Sequence, residues 1–321
     1  MKARLRSVFS LLLMAAATMA AAQDYPNRPI RLVVPQPPGG PTDIVSRILA
    51  QKMSERMGQP INVDNRAGAG SNIGTEIVAK APRDGYTLVV ATVQHIVNPF
   101  LFAALPFDPV RDFAPVTLIS KAHIVLIVNP DNPAHSLREL IAAAKARPGQ
   151  INWGSAGNGS TSHLAVELFK VNTGADVVHV PYKGTQPALT DLVGGRIPVM
   201  FDGVITSLPH IKAGRVRPLA VASLTRSQLL PEVPTMTEAG LSGFEAVGLA
   251  ALMAPAGTPP EVIARLHREV VAVVQTAEVR ERMIAMGLEV VGNSPAEFAE
   301  YLRSESLKWG KIIRDAKIRA E

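Results

Sequence analysis

Cysteine is absent from all 321 residues. That excludes a disulfide framework, thiolate metal ligation, a cysteine nucleophile and an acylated cysteine at a mature N-terminus. There is no HExxH, no GxSxG elbow and no Walker loop. The seven histidines (95, 123, 135, 163, 179, 210 and 267) lie far apart, so a metal site would have to be assembled from several elements. Gly68-x-Gly70-x-x-x-Gly74 falls short of a dinucleotide fingerprint, with three residues before the last glycine rather than two. No metal, nucleotide or other cofactor is expected. The 26 prolines and 24 glycines are dispersed, which argues against collagen-like or low-complexity character, and no internal repeat is visible. No run of Lys or Arg exceeds two residues, so the formal charge of +6 forms no polyanion-binding stripe. What is present is a globular composition, 47% apolar and 19% charged, with ample material for a core.

The one long apolar run stands at the start. Lys2, Arg4 and Arg6 precede an apolar and small stretch from Val8 to Ala22, closing on Ala20-Ala21-Ala22 before Gln23. This is the plan of a secretory signal peptide, expected over 1–22 and cleaved near Ala22. The run is shorter than the roughly 20 residues of a membrane-spanning helix. Cleavage would lower the basic count from 33 to 30 against 27 acidic residues, halving the net charge to +3. The mature protein is therefore expected to be periplasmic, soluble and without a nucleic-acid partner.

Beyond this segment, strand-like and helix-like stretches alternate. Strands are expected at 28–35, 61–64, 86–92, 124–128, 151–153, 177–180, 199–202, 218–222, 248–253 and 288–291. Helices are expected from Thr42 to Gly58, at 71–80, 136–146, 161–173, 186–193 and 207–213, then at 260–286 and 295–317. Alternation of this kind implies βαβ units, mainly parallel sheets flanked by helices, and ligand sites where strand ends lead into helix N-termini. With so long a chain, two α/β domains with a cleft between them are expected.

Three loops suit such a site: Pro38-Gly39-Gly40-Pro41-Thr42-Asp43, Gly68-Ala69-Gly70-Ser71-Asn72, and the glycine- and serine-rich stretch from Gly154 to Thr161. Each brings polar, closely approachable backbone to a helix N-terminus, where free N–H groups and the helix dipole attract an anion. A carboxylate is the natural small anion where no phosphate motif exists. Ser160 and His163, three apart at a helix start, leave a nucleophilic serine open as an alternative to a capping role. Asn158-Gly159-Ser160 also fits a glycosylation pattern that chance readily produces.

Longer motifs carry a resemblance. Tyr25-Pro26-x-Arg28-Pro29-Ile30-Arg31-Leu32-Val33-Val34-Pro35-x-Pro37-Pro38-Gly39-Gly40 with Asp43 is similar to the opening of the Bug receptors, the periplasmic solute-binding proteins of tripartite tricarboxylate transporters. The likeness continues through Gly58-Gln59-Pro60, Asn65-Arg66-x-Gly68-Ala69-Gly70, Asp84-Gly85-Tyr86, Val180-Pro181-Tyr182-Lys183-Gly184 and Leu192-x-Gly194-Gly195. It ends in Pro231-x-Val233-Pro234-Thr235 and Ala254-Pro255-Ala256-Gly257-Thr258-Pro259.

The resemblance implies a two-domain, Venus-flytrap α/β receptor (type II), monomeric and without enzymatic activity. Domain 1 would comprise 23–122 plus 243–321 and domain 2 would comprise 123–242, with crossings near 120–124 and 222–245. It would capture a small organic mono- or dicarboxylate and deliver it to the membrane components of the transporter. A sensing role toward a membrane kinase, or serine hydrolysis, are the alternatives. Carried over by position, first-domain contacts would come from Gln36, Pro38, Gly39, Gly40, Thr42, Ser71, Thr92 and Asn98. Gln94 and His95 would read the far end of the ligand. Second-domain contacts would come from Ser155, Gly157, Ser160, Thr161, Lys183, Gly184 and Asp202, with Asp43 and His163 orienting the loops. Leu249 stands where many relatives have tryptophan, either a lost ligand contact or a core position.

Overall fold

A computed structural model describes residues 25–315 and 318–319, so the expected signal peptide lies outside the described residues. The chain opens as β1 (Ile30–Val34), α1 (Pro41–Met57), β2 (Ile61–Asn65), α2 (Asn72–Ala79), β3 (Thr87–Ala91) and α3 (Val93–Leu101). A 16-residue strand, β4 (Phe113–Val128), leads into α4 (Leu137–Ala146), β5 (Asn152–Ser155), α5 (Thr161–Thr173), β6 (Val178–Pro181) and α6 (Thr185–Val193). Then come β7 (Val199–Gly203), α7 (Val204–Lys212) and β8 (Arg217–Val221). The chain returns on β9 (Val247–Pro255) and finishes with α8 (Pro260–Val274), α9 (Ala277–Ala285), β10 (Leu288–Val290) and α10 (Pro295–Asp315).

The strands run in the order β2-β1-β3-β9-β4-β7-β5-β6, with β8 and β10 also on β4. Two parallel groups, β2-β1-β3 and β7-β5-β6, lie at opposite ends of this path. Ile30, Leu32, Val33 and Val34 of β1 are all buried, the near-continuous apolar run of a parallel strand covered on both faces. Antiparallel ladders on β9 and β4 join the groups, so each sheet is mixed.

β4 belongs to both sheets. Phe113 to His123 pairs with β9, whereas Ile124 to Val128 pairs with β7 and β8. The fold is thus two α/β lobes sharing one long strand, with β9 alongside its first half. Trp153, Phe169 and Phe201 of the second lobe and Phe244 of the returning segment pack with centroids 4.4 to 5.9 Å apart in successive contacts.

Three elements differ from expectation. β4 starts at Phe113 rather than near 124, because register shifts after Pro115 and Leu118 disrupt the two-residue alternation. α3 falls in a stretch for which the sequence pattern predicts no element; β-branched residues and the internal Pro99 weaken its helical signal. The helix expected over 260–286 is two helices, broken at the extended backbone of Thr276.

Candidate ligand-binding site

Parallel pairing decides where the loops gather. In the first lobe β1, β2 and β3 each feed a helix, α1, α2 and α3, so three helix N-termini lie along one carboxyl edge. In the second lobe β5, β6 and β7 do the same with α5, α6 and α7. The starts of α1, α2, α3, α6 and α7 carry no side-chain cap, although Pro41 opens α1 without an N–H, Asn72 N at the start of α2 donates to Ala69 O, and His95 N in α3 donates to Thr92 O. Only α5 is capped in this set, Ser160 Oγ accepting from His163 N at 3.2 Å.

The two edges meet. A Cβ placed on Gly159, before α5, would lie 3.1 Å from Leu101 Cδ1, 3.6 Å from Asn98 Oδ1 and 4.0 Å from Gln94 Cγ, all on α3. Gly159 has φ +73°, a backbone conformation that suits glycine and brings this loop against the opposite lobe. Thr161 Oγ1 in turn lies 3.6 Å from the Cβ position of Gly248 on β9, at the seam between the lobes.

Loop 36–43 is shaped from beneath by the buried carboxylate of Asp43. It accepts from Gly39 N and Arg47 Nε, each at 2.9 Å, and from Asn65 Nδ2 at 2.9 Å. Burial opposes ionisation, but the hydrogen bonds from Arg47, Gly39 and Asn65 outweigh it and hold the carboxyl below its ordinary range. Gln36 Nε2 donates to Ser71 Oγ at 2.7 Å, tying the first loop to the second. That second loop holds two non-glycine residues at positive φ, Ala69 (45°) and Ser71 (78°), a strain typical of functional loops. Thr92 Oγ1 donates to Gln94 Oε1 at 2.6 Å, and Asn98 Nδ2 donates to Gly70 O at 2.7 Å.

The second-lobe loop has its own scaffold. Ala156 N donates to Ser162 Oγ (2.9 Å), Gly157 N to Ser155 Oγ (3.1 Å) and Gly159 N to His163 Nδ1 (3.0 Å). Ser155 Oγ also bonds His179 Nε2 at 2.6 Å, and the rings of His163 and His179 stack at 4.0 Å. Burial lowers His163 to about 3, helped by His179 and Lys170, and lowers His179 to about 4. Both are neutral at pH 7, so His163 serves as an acceptor that shapes the loop. Its Nδ1 is occupied by Gly159, and Ser160 Oγ donates to Gly157 O at 2.6 Å, an arrangement of capping rather than nucleophilic activation.

Other expected contacts lie differently. His95 is buried on α3, its Nε2–H donating to Pro109 O at 2.8 Å and its ring edge-on to Phe113. It lines a separate cavity of about 630 Å³ with Pro99, Val110 and Leu307, so the structure does not bring it to the loop cluster as the distal reader expected from sequence. Burial takes it down to about 4. Asp202 is buried with Thr206 and Ser207 donating to it; burial pushes its carboxyl up, against those hydrogen bonds. It supports the turn into α7. Lys183 is exposed at the β6–α6 turn, while Gly184 N donates to Ala156 O and so ties that turn to the Gly154–Thr161 loop. Leu249 is buried on β9 within a core cluster that spans both lobes. Sequence reasoning passed over His179, Ser162 and Asn65. Asn65 lay in a quoted motif, but His179 acts through a tertiary stack that leaves no local signature.

Neutral burial of His95, His163 and His179 sets a pH dependence. Between about pH 6.5 and 4 the unfolded chain binds protons at these positions that the native chain refuses, so stability falls as pH is lowered through that window. Melting temperature measured from pH 8 to 4 should decline below about pH 6.5; a flat profile there would contradict this account.

A model of the tripartite tricarboxylate transporter family receptors matches residues 45–318. The chain belongs to this family. The protein BugT of Bordetella pertussis is 38% identical over 316 residues, covering 97% of each chain. Among solved structures, Rpa4515 of R. palustris, determined with adipate, superposes with TM-score 0.86 at 37% identity over 92% of this chain and 99% of that one. MatC of Rhodopseudomonas palustris, with bound malate, gives TM-score 0.82 at 33% identity over 90% and 100%. The Bug likeness read from sequence is borne out, and with it the two-domain α/β receptor fold and a non-enzymatic role. This receptor contains no described helix long and apolar enough to cross a membrane.

Proposed function

We propose that this receptor works in the periplasm after cleavage near Ala22, capturing a small organic mono- or dicarboxylate between its lobes and delivering it to the membrane components of a tripartite tricarboxylate transporter. The lobes would divide as 23–122 plus 243–321 and 123–242, and the receptor would act as a monomer. The observation that carries the reading is the meeting of two rows of helix N-termini, five of them uncapped, with Gly159 set against Gln94, Asn98 and Leu101. Such an array suits an anion that is bound by N–H groups and hydroxyls. Arg47 is already engaged by Asp43, so backbone at the starts of α1 and α2, with Thr42, Gln94 and Thr161, would hold the carboxylate. Relatives solved with adipate and with malate support the substrate class.

Thermal denaturation of protein stripped of carried-over ligand by unfolding and refolding tests this. An acid at 100 times its dissociation constant adds roughly 2.7 kcal/mol, which should raise the melting temperature by about 4 °C. No shift across a broad panel of organic acids would overturn the proposal.

A further inference from the structure

Asn98 is only 3% exposed, and both hydrogens of its amide are used: Nδ2 donates to Gly70 O and to Asn72 Oδ1, each at 2.7 Å. A backbone carbonyl can only accept, so the bond to Gly70 fixes which end of the amide carries nitrogen. The other end, Oδ1, is therefore a committed acceptor. It is buried without a hydrogen-bond partner and lies 3.6 Å from the Cβ position of Gly159, facing the opposite lobe.

No donor among the described residues reaches it. Gly159 N–H is given to His163 Nδ1, Leu101 is apolar, and the amide oxygen of Gln94 is turned to Thr92 Oγ1. Leaving a buried acceptor dry is unfavourable, so closure of the lobes around Asn98 is favoured when something entering the cleft brings a hydrogen to it. A carboxylate oxygen would meet Oδ1 as one acceptor against another. An ammonium group would need an anion nearby, yet the buried carboxylates Asp43 and Asp202 are already satisfied, by Gly39, Arg47 and Asn65 in one case and by Thr206 and Ser207 in the other.

Resting on the carboxylate-capture reading, we propose that the site selects organic acids that carry a hydroxyl group, with Asn98 Oδ1 accepting the hydroxyl hydrogen as the lobes close. A site built around such an acceptor discriminates strongly against the analogue lacking the donor, because that analogue leaves the acceptor unpaired.

Calorimetric titration of refolded protein with matched acids tests this: succinate, L-malate, D-malate and L-aspartate, then glutarate and the two 2-hydroxyglutarates. In each set a hydroxy acid should bind about tenfold or more tighter than the plain diacid. Asn98→Leu should compress that ratio to about twofold or less. Equal affinities within the sets, a ratio that survives in Asn98→Leu, or L-aspartate binding tighter than either malate would overturn the assignment. Should Asn98→Leu fail to fold through loss of the Gly70 anchor, the wild-type ratios decide alone. Acids that bind without discrimination reject selection by Asn98 and leave capture standing, whereas no binding by these acids together with no shift across the broad panel rejects both.

Discussion

Gly159→Val is expected to abolish capture of whichever acid the wild-type receptor binds, weakening affinity about a hundredfold or more, while both lobes stay folded. Two effects act together. Gly159 sits at φ +73°, where a β-branched residue is strained by about 1–2 kcal/mol. The new Cβ would also press on Leu101 Cδ1 at 3.1 Å, and the valine methyls would extend toward Asn98 and Gln94. Gly159 lies where the lobes touch, and Leu101 belongs to the core cluster that spans both, so the wedge acts chiefly on the approach of the lobes. Gly159→Ala should be milder, since the end of the Leu101 side chain can shift by a few tenths of an ångström. Calorimetry would measure the affinity, and small-angle scattering with saturating acid would report whether the variant still compacts. Wild-type affinity in Gly159→Val would show that the Gly159–α3 contact plays no part in binding.

Asp43→Ala is expected to cost about 2–4 kcal/mol of stability and to weaken binding about tenfold to a hundredfold. The carboxylate is 3% exposed and accepts three hydrogen bonds, so truncation leaves Gly39 N–H unpaired, leaves Asn65 Nδ2 with Gln36 O alone, and loosens loop 36–40. Arg47 is half exposed and rehydrates readily, which keeps the loss below that of a fully buried ion pair. Asp43→Asn should fall between the two, because its amide keeps the shape but turns a donor toward either Asn65 or Gly39. Because the native carboxyl is held below its ordinary range, its contribution is present at neutral pH and fades only as pH falls through that lowered value. Urea denaturation gives the stability and calorimetry the affinity. A variant as stable and as tight-binding as wild type would remove Asp43 from the scaffold.

Much of the receptor was legible because its parallel strands are short apolar runs punctuated by glycine, serine and proline. Pro41 at the first position of α1 and Ser160 before α5 are local signals, and both helices start there. The first half of β4 was hidden, since two register shifts erase the alternation by which a strand is recognised. α3 was hidden by Val93, Ile96, Val97 and Pro99, and its helical phase was lost with it. That phase separates Gln94 and Asn98, which face Gly159, from His95, which turns to Pro109. The contact of Gly159 with Leu101 depends on how one lobe is set against the other, and no local pattern encodes that. The stack of His163 on His179 likewise depends on β6 pairing beside β5.

The shared strand β4 has a mechanical consequence. A loose tether would let the lobes swivel in any direction, but a ribbon of two hydrogen-bonded strands flexes readily only across its face. β9 accompanies β4 from Phe113 to His123, up to the residue where β4 changes partners. Any opening and closing would thereby be confined to rotation about nearly one line, and the outer surfaces of the lobes would move in step with the cleft. A rigid partner resting on both lobes would sense occupancy from outside, without reaching the bound acid.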